Sequence, residues 1–199
     1  MIQIKNRYNG NVIKEVESLS YSGLSYSDLS YSDLRGNDLS YSDLSYSDLR
    51  YSDLRGSNLS YSDLRGSNLS YSNLRNSNLS NSNLSYSNLI GSDLRDSDLR
   101  GSNLSNSNLS NSNLNYSDLR GSDLRCVIGN GIEIKSLQIG TYMVSYHKDI
   151  LNIGCQTHTL DKWINFTDEE IDAMDRDTAL DWWKLNKDIL VTLVKREIQ

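Results

Sequence analysis

The stretch Ser57-Asn58-Leu59-Ser60-Tyr61-Ser62-Asp63-Leu64-Arg65-Gly66-Ser67-Asn68-Leu69-Ser70-Tyr71 states one five-residue pattern three times. Followed in both directions, Leu falls at every fifth position from Leu19 to Leu124, which makes twenty-two consecutive units. Ser stands two places before the Leu except at Glu17 and Asn37, and Asp or Asn stands one place before it except at Ser18 and Gly23. A period of five fits neither the 3.6 of a helix nor the 2.0 of a long strand, so the chain must change direction once per unit. The Ser, Asn and Asp content alone would suggest disorder, but a disordered chain has no reason to keep an apolar residue in strict register. One inward Leu with a small Ser beside it describes a narrow coil, stacked on its neighbours at the ~4.8 Å spacing of hydrogen-bonded strands.

The Ser-Asp/Asn-Leu-Ser/Arg-X unit over residues 19–125 resembles the pentapeptide-repeat family. The resemblance implies an all-β solenoid: a right-handed quadrilateral β-helix with one unit per side, four units per coil and about five and a half coils. Residues twenty apart would then lie above one another. Arg35, Arg55, Arg75 and Arg95 fall in one such column, accompanied by Asp33, Asp53 and Asp93. Three other columns begin Tyr21-Tyr41-Tyr61, Tyr26-Tyr46 and Tyr31-Tyr51-Tyr71, whereas the corner after the arginines begins Gly36-Gly56. The tyrosines can serve as coil-to-coil stacking that stiffens the rod, or as an aromatic face for a protein or sugar. The arginines can serve as a solvated charge ladder neutralised by Asp, or as a ridge for an anion or partner.

A solenoid must cover its open ends, and the flanks look suited to that. Residues 1–18 carry Ile2 and Ile4, then Asn9-Gly10, then Val12, Ile13 and Val16, which predicts an N-terminal β-hairpin cap. Residues 126–199 read as a small α+β capping module. Ile132/Ile134, Leu137/Ile139 and Tyr142/Val144/Tyr146 alternate as strands, with Ile150–Cys155 returning across 147–149. Thr167-Asp168-Glu169-Glu170 forms a capping box, and a helical stripe follows over roughly 178–197. At 74 residues the module is small, so its core is expected to continue onto the last coil. Trp163, Trp182 and Trp183 read first as core, but adjacent Trp182 and Trp183 cannot both face inward, so one can meet the last coil or a partner, which makes them, with the Arg and Tyr columns, candidates for a partner surface. Ile2-Gln3-Ile4-Lys5-Asn6-Arg7 with Gly10 and Val12-Ile13 is similar to the start of small pentapeptide-repeat proteins from phages and bacteria, and the module from Gly140 onward, with Ile153-Gly154-Cys155, Trp163 and Ala179-Leu180-Asp181-Trp182-Trp183-Lys184, resembles a C-terminal module of phage and prophage proteins.

The net charge of -6 divides into +1 for residues 1–18, -3 for 19–125 and -4 for 126–199. No part is basic enough for general phosphate neutralisation, so direct nucleic-acid binding is not expected. Neither a membrane span nor a signal peptide is evident, and two cysteines make no disulfide framework, which together fit a cytoplasmic or virion-associated protein. Cys155, His158 and His147 could be assembled into a metal site or a Cys-His nucleophile, but one Cys-x-x-His without a second pair or an orienting group is weak support for either. The acidic run at Asp168, Glu169, Glu170 and Asp172 is the favourable first turn of a helix. No catalytic, cofactor or metal residue is therefore expected. The sequence points to a non-enzymatic rigid scaffold or protein-binding protein, phage-encoded or part of a virion or other assembly, with self-association through the C-terminal module as one possibility. The family resemblance offers an alternative, since some members imitate duplex DNA and bind DNA gyrase or topoisomerase IV.

Overall fold

A computed structural model of the chain describes residues 1–175 and 178–198. Parallel backbone bridges join positions twenty apart in unbroken succession, from Gly23 with Asp43 to Asn108 with Ile128. Twenty residues therefore make one coil, and four units make its four sides.

The unit Ser67–Tyr71 shows why these residue types recur. The Asn68 N–H donates to the Ser47 carbonyl of the preceding coil at 2.9 Å, and the Leu69 N–H donates to the Asn88 carbonyl of the next at 2.7 Å. The Tyr71 N–H also reaches the next coil, at Ile90 O, 2.9 Å, while Ser67 and Ser72 close β-turns onto Leu64 O and Leu69 O. Only the Ser70 N–H lacks a backbone acceptor, and the Asn68 carboxamide oxygen takes it at 3.2 Å. An Asp or Asn is needed at the middle of each side because its oxygen accepts the one donor the ladder leaves over. The inward Ser supports the turn in a similar way. Ser72 Oγ donates a second bond to Leu69 O at 2.6 Å, inside a space that admits little more than a hydroxyl.

Leu19 through Leu124 are all buried, and Leu69 is 0% exposed. They form one continuous column with Ile4 at one end and Val127 and Ile134 at the other. At the N-terminus, β1 (Ile2–Asn6) and β2 (Val12–Val16) form the expected antiparallel hairpin. Its connection is longer than a two-residue Asn-Gly turn, with Asn6 Oδ1 receiving the Tyr8 and Asn9 N–H groups and Gly10 at φ +74°. The short strand β3 (Ser32–Asp33) pairs with β1, so the hairpin covers the edge of one side of the first coil.

The C-terminal module is a four-stranded antiparallel sheet in the order β4 (Lys135–Ile139), β5 (Tyr142–His147), β6 (Ile150–Ile153) and β7 (Gln156–Thr159). Three helices follow: α1 (Leu160–Asn165), α2 (Asp168–Asp172) and α3 (Ala179–Ile198). The Thr167/Glu170 capping box is present at α2. Three expectations need correction. Ile132 and Ile134 lie before the sheet, β7 and α1 are additional elements, and the module's core does not continue from the rod. Val144, Tyr146, Leu151, Trp163, Ile171, Trp183, Leu190 and Val194 close a core of their own. Sheet and helices together bury enough apolar surface to do so, while Val127 and Ile134 pack into the core of the rod. The seam carries a polar contact as well, Ser145 Oγ donating to Leu124 O at 2.8 Å.

Candidate interaction surfaces

Every turn of the coil passes through a left-handed residue. Positions 21, 26, 31 and each fifth residue to 126 have φ between +54° and +70°, whether the residue is Gly, Asn, Asp, Cys or Tyr. The turn Leu69-Ser70-Tyr71-Ser72 places its positive φ at the third residue, the type II arrangement for which Gly or Asn is the easy choice. Ten of these corners nevertheless hold Tyr, a requirement the sequence reading missed.

The backbone holds those rings in columns. Tyr21, Tyr41 and Tyr61 stack at 4.9 and 5.0 Å with interplanar angles of 4° and 3°. Tyr31, Tyr51 and Tyr71 stack at 5.1 and 5.3 Å, with Tyr8 tilted over the first of them, and Tyr26 meets Tyr46 at 5.2 Å. Tyr21 is 75% exposed and Tyr61 and Tyr71 are 54% exposed, so the columns present aromatic edges and hydroxyls to solvent. Two columns end over a glycine. A Cβ on Gly66 would fall 2.6 Å from the Tyr46 ring, and one on Gly91 would fall 2.7 Å from that of Tyr71. The last ring of each stack occupies the space of the missing side chain.

The four column arginines lie in line, because the residue after each donates its N–H to the next arginine's carbonyl: Gly36 to Arg55, Gly56 to Arg75 and Asn76 to Arg95, at 2.9 to 3.0 Å. Their guanidinium groups turn back onto their own units. Arg35 binds Asp33 at 2.5 Å, Arg55 binds Asp53 at 2.7 Å and Arg95 binds Asp93 at 2.5 Å. Arg75 follows Asn73 and reaches instead to Asp96, 3.3 Å away. The same Asp-Leu-Arg clasp recurs at Arg50, Arg65, Arg100, Arg120 and Arg125. The side-chain hydrogen bond from Arg120 is the main cause holding the Asp118 carboxyl down to about 2. Arg95 does the same for Asp93, against an opposing effect of burial.

The two tryptophans divide, one inward and one at the surface of the module. Trp183 is buried in the module core at 4% exposure, so it is not a surface residue. Trp182 is half-buried, donating its indole N–H to Ile139 O at 2.8 Å and meeting the Tyr142 ring edge-on. Neither therefore offers a free ring as a partner anchor. His147 Nδ1 lies 2.7 Å from Glu133 O and His158 packs on Trp163 and Phe166. Among the described residues no group of three or more His, Cys, Asp or Glu could hold a metal ion, and no helix is long and apolar enough to cross a membrane.

No curated protein matches the chain. Among solved structures, the pentapeptide repeat protein Rfr23 from the cyanobacterium Cyanothece 51142 is 31% identical over 47% of this chain and 64% of its own, with a TM-score of 0.46. HetL, a pentapeptide repeat protein involved in heterocyst differentiation regulation from Nostoc sp. strain PCC 7120, is 27% identical over 57% of each chain, with a TM-score of 0.24. Full-length QnrB1, a plasmid-mediated fluoroquinolone resistance protein, is 20% identical over 50% of this chain and 78% of its own, with a TM-score of 0.17. The chain thus spans 64% and 57% of the first two. The family pattern described as pentapeptide repeats matches residues 18–56, 47–85, 57–96 and 87–125. These segments cover more than half of the sequence and coincide with the Leu, Ser and Asp/Asn register that builds the coils, and the chain belongs to the pentapeptide-repeat family.

Proposed function

We propose that this protein is a non-enzymatic rigid scaffold that binds a protein partner through the tyrosine corners of its first coils. Members of the family are generally non-enzymatic structural or binding proteins. The observation that carries the reading is the set of exposed, stacked tyrosines on three corners. Tyr contributes a large contact area with few rotamers to lose, and rings already fixed by a stack lose fewer still. The arginines are a weaker candidate for the same role, since each one's charge is already engaged by an Asp. Residues 1–18 and 126–199 act in this reading as caps on residues 19–125. The reading extends to a phage setting, in which a stiff rod suits a virion or assembly component.

The test is a pull-down from the native host or particle with the wild-type chain and a Tyr21→Ser/Tyr41→Ser/Tyr61→Ser variant. Loss of the wild-type partner with an unchanged far-ultraviolet circular dichroism spectrum is expected. A partner retained in full would overturn the assignment. The alternative, a duplex-DNA mimic acting on gyrase or topoisomerase IV, calls for a continuous acidic surface, whereas here Arg is interleaved with Asp. Inhibition of gyrase supercoiling at micromolar protein would favour it. Self-association through the module has its own observation: Leu185 and Ile189, one turn apart on α3, are 83% and 57% exposed. Light scattering of a Leu185→Glu/Ile189→Glu variant tests it, and an unchanged mass would reject that surface.

A further inference from the structure

The chain has two cysteines, separated by 28 intervening residues, and the fold brings them to the same place. Cys126 occupies the last left-handed corner of the rod, at φ +54°, and is half-buried. Its Sγ lies 3.8 Å from the carbonyl oxygen of Gly154, the residue before Cys155. Cys155 is exposed and lies in the tight connection between β6 and β7. Within a trans peptide the carbonyl oxygen is about 2.8 Å from the next Cα, so the Cys126 sulfur is within about 6.6 Å of the Cys155 Cα. The Cys126 thiol therefore stands beside the backbone of Cys155. Cys155 also lines a surface groove with Gly121, Ser122, Asp123 and Arg125, the end of the last repeat unit.

We propose that Cys126 and Cys155 are a paired modification site, oxidised by small-molecule disulfides to an intramolecular bond that fastens the β6–β7 connection to the last corner of the rod. The exposed Cys155 thiolate attacks one sulfur of an oxidised glutathione, forming a mixed disulfide and expelling one glutathione thiolate. The Cys126 thiolate then attacks Cys155 Sγ, forming the protein disulfide and expelling the second glutathione. Two protein thiols are oxidised and one glutathione disulfide is reduced to two thiols, with the protons passing to water and the leaving thiolates. The bond would join two parts that pack separate cores, beside the Val127 and Ile134 packing and the Ser145–Leu124 and Asn130–Ser112 hydrogen bonds. Oxidation would therefore lock the orientation of the module relative to the rod, and reduction would free it.

The test treats the reduced full-length chain with millimolar oxidised glutathione and reads intact mass and a non-reducing peptide map. Wild type should lose two hydrogens, carry no lasting glutathione and yield a Cys126–Cys155 cross-linked peptide that a dithiol reverses. Cys126→Ser should instead accumulate a glutathione adduct on Cys155, because the resolving thiol is gone. Oxidised wild type should unfold at a higher temperature than its reduced form, a shift absent in Cys126→Ser. A stable adduct on Cys155 in the wild type, or disulfides only between molecules, would overturn the pairing.

Discussion

Leu69→Ala tests the interior of the rod at its middle. Leu69 is 0% exposed, and its backbone N–H is pinned to Asn88 O at 2.7 Å while that of Asn68 is pinned to Ser47 O at 2.9 Å. The substitution deletes three carbon groups, which at about 0.8 kcal/mol each removes about 2.4 kcal/mol of burial. In a helical bundle part of the void would then be closed by movement of neighbouring elements. Here the wall is a hydrogen-bonded coil fixed to the coils above and below, so most of the void should persist. A residual cavity of about 50 Å³ adds about 1.2 kcal/mol at the usual cavity coefficient. The expected loss is about 3–4 kcal/mol, read as a fall in the urea midpoint of full-length protein followed by circular dichroism, with the slope unchanged. Leu119→Ala, near the end of the rod and 6% exposed, serves as the comparison and should cost less. A loss under about 1 kcal/mol at Leu69 would refute the picture of a rigid wall that cannot collapse.

Gly91→Ala and Gly36→Ala separate two costs at the corners, since both residues have φ near +65° but only Gly91 has a ring where its Cβ would go. Gly36→Ala should cost about 1–2 kcal/mol for the left-handed backbone, and Gly91→Ala measurably more in the same denaturation assay, with equal costs counting against the seated Tyr71 ring. The Asp-Arg clasps predict acid behaviour: Asp118 is held at about 2 and Asp33, Asp93 and Asp98 are lowered too, each chiefly by its arginine's hydrogen bond. A carboxyl lowered in the folded state gives stability that is complete above its unfolded value near 3.9 and is lost as pH falls toward 2. The thermal midpoint should decline through that window and recover on return to neutral pH, and a flat profile between pH 4 and 2 would contradict the clasps. Truncation after Arg125 removes Val127 and Ile134 from the end of the Leu column and should yield a fragment that associates in sedimentation velocity. A monodisperse fragment as stable as the full chain would show that residues 126–199 are not a cap.

What could be read from the sequence follows from where each constraint acts. The Leu column, the inward Ser and the alignment of Arg35 with Arg55, Arg75 and Arg95 come from a strict period, and period survives in a bare sequence. The hairpin at β5 and β6 and the α2 capping box were equally visible, because alternation and local side-chain bonds leave fixed spacings. Strand β7 was hidden because Gln156-Thr157-His158-Thr159 is an edge strand with no apolar alternation. Helix α1, at six residues, is too short to display a helical stripe. Trp182 and Trp183 were indistinguishable until α3 was set against the sheet, which buries one and leaves the other braced on Ile139 and Tyr142.

The left-handed corners were hidden for a different reason, and that reason bears on function. A column that mixes Gly, Asn and Tyr does not advertise positive φ, because Tyr is a poor residue for it. Each such Tyr costs about 1–2 kcal/mol of backbone strain, and each stacked pair returns about 0.5–1.5 kcal/mol. The column Tyr21-Tyr41-Tyr61 has three strained residues and two stacked pairs, so stacking at best offsets the strain. Farther along the same column the corner is made by Asn81, Gly101 and Gly121, with the same φ and no aromatic ring. These later corners close without tyrosine, so corner closure alone does not account for the tyrosines of the early coils. Their distinguishing property is an exposed aromatic surface ordered by stacking in the first half of the rod, whereas the exposed Tyr86 and Tyr116 of the later coils stand outside those stacks, which is the physical ground for seeking the partner there.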